Sequence, residues 1–328
     1  MQSSPHSKTV PLDAGVLRLL RKSPAHPSEL ATQLACASRD IFESVNRLQD
    51  AGFDIPLNPT LGLQLVSDPD RLLADDILSR IEDPWISDIT VYESTASTND
   101  LVTRRATDGS AAPLAILAET QTAGRGRFGR KWHSSPRQGI WMSILLRPEI
   151  PFSQWPRLTS TAALAIALAI EDVTDLQSGI KWPNDVIVHG KKISGLLVET
   201  GQHPVTGSFA VLGIGINANQ TEFPEEIRDR ASSLKLESGK DVNRNTLVAK
   251  ILDHVGHLLP KMQTDFRGVL AQISERSTVL GKALQLHAGG NPIEGVAEGL
   301  DEEGHLLLRM QDGTLRSFSA GEVSTRTP

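Results

Sequence analysis

Residues 158–173 are apolar almost all the way round, and a helix of that kind must bury most of its circumference. Its most apolar part, 162–170, is too short to cross a bilayer, which takes about 20 residues, and Glu171 and Asp172 follow at once. The remaining solution is a helix laid on a sheet, inside a domain large enough to cover it. The flanking sequence supplies such a sheet: 86–92, 115–119, 140–146, 186–189, 193–199 and 209–216 are strand-like runs. They come in adjacent pairs rather than alternating with helices, so the expected class is α+β and not a doubly wound sheet. Helical stretches at 244–259 and 266–274 complete the middle of the chain.

The two ends read differently. Leu12, Val16, Leu17, Leu19 and Leu20 recur at helical spacing until Pro24 and Pro27. Ser28 and Ser38 stand as N-caps of two further helices, 29–34 and 39–50, the second closed by Gly52. Strand-like 53–55 and 61–66 then suggest a hairpin, and this order is that of a winged helix-turn-helix. A boundary falls at Ser67-Asp68-Pro69-Asp70, followed by a connecting helix through Leu72, Leu73, Ile77, Leu78 and Ile81. From Lys282 onward, short β runs alternate with turn signals (Gly289-Gly290-Asn291-Pro292, Asp301-Glu302-Glu303-Gly304, Asp312-Gly313), the spacing of a small antiparallel barrel.

Whole-chain properties narrow the function. A formal net charge of −6 excludes a protein that mainly coats nucleic acid, so any DNA contact must belong to one face of one domain. The single cysteine, Cys36, excludes a disulfide framework or a multi-cysteine metal site, and the nine histidines lack metal-ligand spacing. The start, Met1-Gln2-Ser3-Ser4-Pro5, has neither the basic nor the apolar part of a secretory signal, and no run is long enough to span a membrane; the expectation is a cytoplasmic protein.

Four segments carry chemistry. Gly124-Arg125-Gly126-Arg127-Phe128-Gly129 formally spells G-x-G-x-x-G, but Arg130-Lys131-Trp132-His133-Ser134-Ser135-Pro136 is no helix start, so a dinucleotide fingerprint is rejected. What remains is four cations, Arg125, Arg127, Arg130 and Lys131, on a glycine-loosened backbone. Such a loop closes over an anion and is expected to order only on ligand; a solvated basic turn or a nucleic-acid patch is the alternative. In Lys181-Trp182-Pro183-Asn184-Asp185, Pro183 bends the chain at a strand start, leaving Asp185 to pair with a lysine, accept a proton or bind a cation. A hairpin signal, His189-Gly190-Lys191-Lys192-Ile193-Ser194-Gly195, follows. Gly213 and Gly215 clear one strand face for a tight crossing with another strand, for a bulge, or for a flat ligand such as a purine, and Ser94-Thr95-Ala96-Ser97-Thr98-Asn99-Asp100 is an N-cap cluster.

Together these segments resemble the biotin–protein ligases, specifically the bifunctional bacterial type that is also the biotin operon repressor. The resemblance is carried by Gln121 to Arg127 with Gly129-Arg130-Lys131-Trp132, by Lys181 to Asp185, by Lys192-Ile193-Ser194-Gly195-Leu196-Leu197-Val198-Glu199, by Gly213-Ile214-Gly215-Ile216-Asn217 and by Ala320-Gly321-Glu322-Val323-Ser324, in the family's order over nearly the whole chain. It implies three domains: a winged helix-turn-helix at 1–68, a biotin- and ATP-binding catalytic domain at 69–276, and an SH3-like barrel at 277–328. It also implies adenylation of biotin by ATP with Mg²⁺, then transfer to one lysine of the biotin carboxyl carrier protein of acetyl-CoA carboxylase.

Position by position, the resemblance assigns Ser97, Thr98, Asn99, Gln121, Arg125, Gly126, Arg127 and Lys192 to biotin, and Arg125, Arg127, Arg130, Lys181, Asn184 and Asn217 to the nucleotide, with magnesium near Asn217. Lys192 would bridge the biotin carboxylate, Arg127 would neutralise charge, and Asp185 would position or deprotonate the acceptor lysine, which is otherwise protonated. The repressor branch implies a homodimer formed through the central sheet and operator DNA read by Arg39, Ser44, Asn46 and Arg47. Residues 1–66, however, carry six cations and six acids, without the basic excess usual in DNA readers. A non-catalytic biotin-sensing repressor and a lipoate–protein ligase-like enzyme are the competing functions.

Overall fold

A computed structural model describes residues 11–288 and 291–325. The N-terminal start and part of the Gly289-Gly290 turn read from the sequence lie outside the described residues, as does 326–328. The fold is mixed α+β, with a central mixed sheet and a C-terminal antiparallel sheet.

Three helices open the chain, α1 (Leu12–Leu20), α2 (Pro27–Gln33) and α3 (Ser38–Asp50), followed by a two-stranded hairpin of β1 (Leu57–Asn58) and β2 (Gly62–Leu63). The predicted caps shift by a residue or two. His26 is the N-cap of α2 because Pro27, with its fixed φ and no N–H, suits the first helical position. Ala37 caps α3, its N–H donating to the Asp40 carboxylate 3.0 Å away. The first hairpin strand is Leu57–Asn58 rather than 53–55, because Phe53 and Ile55 are both spent on the core that Val16, Leu17, Leu30, Ile41, Val45 and Leu48 make.

Helix α4 (Ala74–Arg80) joins this unit to the rest. Arg18 donates to the carbonyl of Leu78 (2.6 Å), Arg21 pairs with Asp68 (2.7 Å) and Asp76, and Arg80 reaches both carboxylates (2.7 and 2.8 Å). Burial opposes charge at Asp68, but Arg21 and Arg80 outweigh it and hold its pKa below the usual value.

The central sheet contains β3 (Asp88–Thr95), β4 (Leu114–Gln121), β5 (Gly139–Leu146), β6 (Gly179–Lys181), β7 (Asp185–Val188), β8 (Lys191–His203) and β9 (Gly207–Asn217) in the order β3-β4-β5-β9-β8-β7-β6, with only β3 and β4 parallel. Strand alternation sends Leu114 and Ile116 toward α5 (Thr98–Thr107), and Ala115 and Leu117 toward the opposite helical layer. That layer is α6 (Pro156–Val173) and α8 (Arg244–Thr264), so the apolar helix is buried between sheet and helix. Both faces being covered explains why every residue of β5 is buried. Short α7 (Leu234–Ser238), together with β6, has no counterpart in the sequence reading.

Helix α9 (Phe266–Glu275) leads to the C-terminal sheet of β10 (Ala283–His287), β11 (Ile293–Leu300), β12 (Leu306–Arg309), β13 (Leu315–Phe318) and β14 (Glu322–Thr325), ordered β13-β12-β11-β10-β14 and wholly antiparallel. Trp182 inserts from the central sheet into its small core and donates to the carbonyl of Gly304 (3.2 Å). Among the described residues no helix is long and apolar enough to cross a membrane.

Candidate active site

Strand β9 is the floor. A Cβ on Gly213 would overlap Oδ1 of Asn99, and one on Gly215 would lie 2.6 Å from the Trp132 ring, so the alternating glycines admit these two side chains. Gly195 on the neighbouring strand makes room for Lys192 in the same way.

The amino end of α5 supplies a neutral, hydrogen-bonding wall. Ser97 is its N-cap and is buried. The Thr98 amide donates to Gln121 Oε1 (2.8 Å), Ser143 Oγ lies 2.7 Å from Thr98 Oγ1 and donates to Asn99 Oδ1 (2.6 Å), and Asn99 Nδ2 donates to Glu199 (2.5 Å). This chain holds Gln121, whose amide also donates to Ser134 Oγ (3.2 Å). Ser143 and Glu199 were not singled out in the sequence, because their roles exist only once β5 and β8 lie beside α5.

The glycine–arginine loop is folded on itself. Gly126 N donates to the carbonyl of Arg130 (2.7 Å) and Trp132 N to that of Gly124 (2.9 Å), while Phe128 and Gly129 take left-handed backbone angles at the tip. Each arginine is tethered to a different element. Arg125 grips Asp100 bidentately (2.6 and 2.9 Å), Arg127 donates to Asn184 (3.0 Å) and to the carbonyl of Gly321 (3.2 Å), and Arg130 is paired with Glu322 (Nη1 to Oε1, 2.6 Å). A loop ordered only by ligand was expected; in the structure its arginines are engaged by the protein's own acceptors. The hydrogen bonds from Arg125 and Arg130 hold Asp100 and Glu322 below their usual carboxylate range. Burial lowers the Arg127 pKa, against the opposing pull of Asp185 and Glu322.

Between wall and loop lies the ion pair Lys192–Asp185 (2.6 Å), with the Lys192 ammonium 5.3 Å from the Trp132 ring centroid. Lys181 faces Asp185 across a tight β6–β7 hairpin, so Pro183 sits in its turn rather than at the start of a lone strand. Asn184 Nδ2 donates to the carbonyl of Leu196 (2.7 Å).

All of Ser97, Thr98, Asn99, Gln121, Arg125, Gly126, Arg127, Arg130, Lys181, Asn184, Asp185, Lys192 and Asn217 line one cavity of about 1080 Å³. Its wall carries eight Lys and Arg against three Asp and Glu, in a chain of net charge −6, so charge of one sign has been concentrated here. Phe223, Pro224, Ile227, Arg230, Lys282 and His287 also line it and were missed, because nothing local marks them. Asn217, expected near magnesium, is held within the protein. Asn217 is buried, with Nδ2 donating to the carbonyl of Ser232 (3.0 Å) and Oδ1 accepting from Gln220 (3.3 Å), and no cluster of three His, Cys, Asp or Glu that could hold a metal ion occurs among the described residues.

Residues 91–217 match the Biotin/lipoate A/B protein ligase family and residues 279–326 the Biotin protein ligase C terminal domain. The bifunctional ligase/repressor BirA of Bacillus spizizenii is 31% identical over 304 residues, covering 89% of this chain and 91% of that protein. This chain belongs to the biotin–protein ligase family. Within the family, the biotin–[acetyl-CoA-carboxylase] ligase of Mycobacterium tuberculosis is 33% identical over 71% of this chain and 87% of its own. Biotin protein ligase from Aquifex aeolicus, solved in complex with biotin and ATP, superposes with a TM-score of 0.64 at 33% identity, over 74% of this chain and all of that one.

The expected DNA-reading residues divide. Arg39 and Asn46 are exposed, but Ser44 is fully buried in the packed face of α3 and is withdrawn as a DNA contact. Arg47 is turned onto α1, donating to Asp13 (2.5 and 2.9 Å).

Proposed function

We propose that this chain joins the carboxylate of biotin to the α-phosphate of ATP, releasing pyrophosphate, and then passes the biotinyl group to a lysine of the biotin carboxyl carrier protein. The observation that carries the reading is the single cavity, neutral and hydrogen-bonding at one end and strongly cationic beyond it. A ureido-type ring needs paired donors and acceptors, which Ser97, Thr98, Asn99 and Gln121 supply. The ionised carboxylate and the phosphates repel one another, and Lys192 with Arg127 and Arg130 offsets that repulsion. Lys181 and Asn184 flank the same centre.

In the first step a carboxylate oxygen attacks the α-phosphorus and the bond to the bridging β-phosphate oxygen breaks; no base is required. In the second, the lysine amine attacks the acyl carbon and AMP leaves. Asp185 takes the ammonium proton, which requires its ion pair with Lys192 to open as Lys192 turns to the acyl phosphate.

We read residues 1–68 as a winged helix-turn-helix, 69–276 as the catalytic domain and 277–328 as an SH3-like barrel. The repressor branch, with a homodimer through the central sheet, is supported by the bifunctional relatives and by exposed Arg39 and Asn46, while Arg47 reaches DNA only by leaving Asp13. The single cysteine and the use of ATP support a cytoplasmic site of action. The deciding experiment is pyrophosphate release from ATP on adding biotin, with lipoate as competitor. No release with biotin, or release with lipoate alone, overturns the reading.

A further inference from the structure

The backbone of Lys192 is held from two sides. In the sheet it opposes Ile187 of β7, beside a register shift between Val186 and Ile187. It also pairs in parallel with Ala231, its N–H donating to the carbonyl of Arg230 (2.8 Å) and its carbonyl accepting from Ser232 N (3.1 Å). The turn leading into Lys192, His189-Gly190, has positive φ at both residues (48° and 81°), a hairpin geometry that asparagine before glycine fits best. A histidine in the left-handed region is strained, so something outside the turn must hold it there.

Glu237 of α7 is that partner. His189 Nδ1 lies 2.7 Å from its Oε2, a contact in which only the ring can donate. Glu237 is largely buried and does not line the cavity. Burial opposes charge there, but hydrogen bonds from Ser232 and His189, with the nearby charge of Lys191, outweigh it and hold the carboxyl below its usual range. Ser232 is itself buried, and its carbonyl accepts from Asn217 Nδ2 (3.0 Å). Helix α7 is fixed in turn, because Ser233 Oγ accepts from Leu236 N (3.1 Å) and donates to the carbonyl of Gln220 (2.6 Å). One carboxylate thus joins the turn that leads into Lys192 to the segment paired with the Lys192 backbone.

We propose that Glu237 is a positioning residue for Lys192: from outside the cavity it pins the hairpin turn through His189 and the opposing segment through Ser232, so that the ammonium stays aimed at the centre of the cavity. The proposal rests on the adenylation reading, in which Lys192 bridges the biotin carboxylate. A lysine ammonium rides on a flexible four-carbon stem, so a fixed backbone is what limits where it reaches. A displacement of about 1 Å at a reacting centre costs about 100-fold in rate. The ion pair with Asp185 (2.6 Å) cannot supply that aim throughout, since it opens in the second step. The His189 contact is exposed and by itself worth little, so the bond from buried Ser232 carries the larger share.

The test uses the full-length protein with Glu237→Ala, Glu237→Gln and His189→Asn, the last keeping the turn while removing the ring that reaches Glu237. Glu237→Ala should lower kcat for biotin-dependent pyrophosphate release about tenfold or more, with the KM for biotin within about threefold because the neutral wall is untouched. Glu237→Gln still accepts from Ser232 and should recover most of the rate. His189→Asn should lie between the two, and adding it to Glu237→Ala should cost little more. Protection of the Lys192 and Ser232 amides against hydrogen exchange should fall about tenfold in Glu237→Ala while the β5 amides keep theirs. A wild-type kcat, a biotin KM that rises as steeply as kcat falls, or unchanged protection at both amides overturns the positioning role. If Glu237→Ala does not fold, His189→Asn carries the same test with a severalfold effect. If the wild-type protein releases no pyrophosphate with biotin, the functional reading falls, and exchange at the two amides alone decides whether Glu237 holds Lys192.

Discussion

Gly213→Ala puts the geometry of the biotin wall to a direct test. The new methyl would overlap Asn99 Oδ1 and lie 3.0 Å from both Cγ and Nδ2, distances that real contacts do not sustain. Asn99 is almost fully buried, so its amide must turn or α5 must lift. Either movement breaks the 2.6 Å bond from Ser143, a hydroxyl with no solvent exposure, and the 2.5 Å bond to Glu199. Stranding a buried hydroxyl costs about 1–3 kcal/mol and each net hydrogen bond about 1 kcal/mol; overpacking adds about 1–3 kcal/mol. A loss of about 3 kcal/mol is therefore expected, shared between stability and biotin binding, with the biotin KM rising 10- to 100-fold. The assay is biotin-dependent pyrophosphate release together with thermal unfolding. Gly299→Ala, where a Cβ meets open space, is the comparison and should change neither. In an Asn99→Ala background the added methyl has nothing to strike, so the double variant should be little worse than Asn99→Ala alone. A wild-type biotin KM and melting temperature for Gly213→Ala, or strictly additive effects in the double variant, would refute the reasoning.

Lys192→Ala removes the ammonium at the centre of the cavity and should lower the rate of adenylate formation by about 100-fold or more, read by pyrophosphate release; a loss under tenfold contradicts its role. Glu119→Ala strands the buried Arg244 guanidinium (Nη1 to Oε2, 2.5 Å) and the Leu72 N–H (2.7 Å), so denaturant unfolding should show about 3–5 kcal/mol of destabilisation. Glu119→Leu/Arg244→Met should cost distinctly less, and a double variant as unstable as the sum of the singles counts against that account. The Asp100 and Glu322 carboxyls are lowered by Arg125 and Arg130, so the loop stability they give is complete above the ordinary carboxylate range, about pH 4, and is lost as pH falls through their lowered folded values. Hydrogen exchange at the Gly126 and Trp132 amides, corrected for intrinsic rates, should keep its protection above about pH 4 and lose it as pH falls below that, whereas constant protection down to acid refutes the tethers.

What was legible in the sequence follows from how local each cause is. Helix α6 and the strands β4, β5 and β9 declare themselves, because burial on two faces demands nearly continuous apolar runs. Strand β6 does not: three residues before a proline carry no period, and their pairing is imposed by β7. Within the site, the arginine loop and the Lys181–Asp185 segment were readable because their residues are neighbours in the chain. Glu119 with Arg244 was not, since 125 positions separate two charges that stabilise the fold only as a pair. Ser44 erred for a related reason: a serine reads as polar, but helical phase sets it between Ile41 and Leu48 on the packed face.

The tethers on the loop also explain how a site for anions can be ordered and still open to its ligands. Had Phe128 anchored the loop in a core, opening it would forfeit apolar burial with nothing to replace it; instead that ring is exposed at the tip. The anchors are guanidinium contacts to Asp100, Asn184, the Gly321 carbonyl and Glu322, drawn from α5, the β6–β7 turn and the C-terminal strand. A phosphate or carboxylate oxygen offers a guanidinium the same planar, charge-assisted geometry as Asp100 and Glu322, and a stronger partner than the neutral oxygens of Asn184 and Gly321, so exchange of partners leaves each arginine satisfied throughout. Anions are therefore the ligands best able to replace the carboxylate anchors, and the backbone bonds of Gly126 to Arg130 and of Trp132 to Gly124 keep the loop's own turn closed while its partners change.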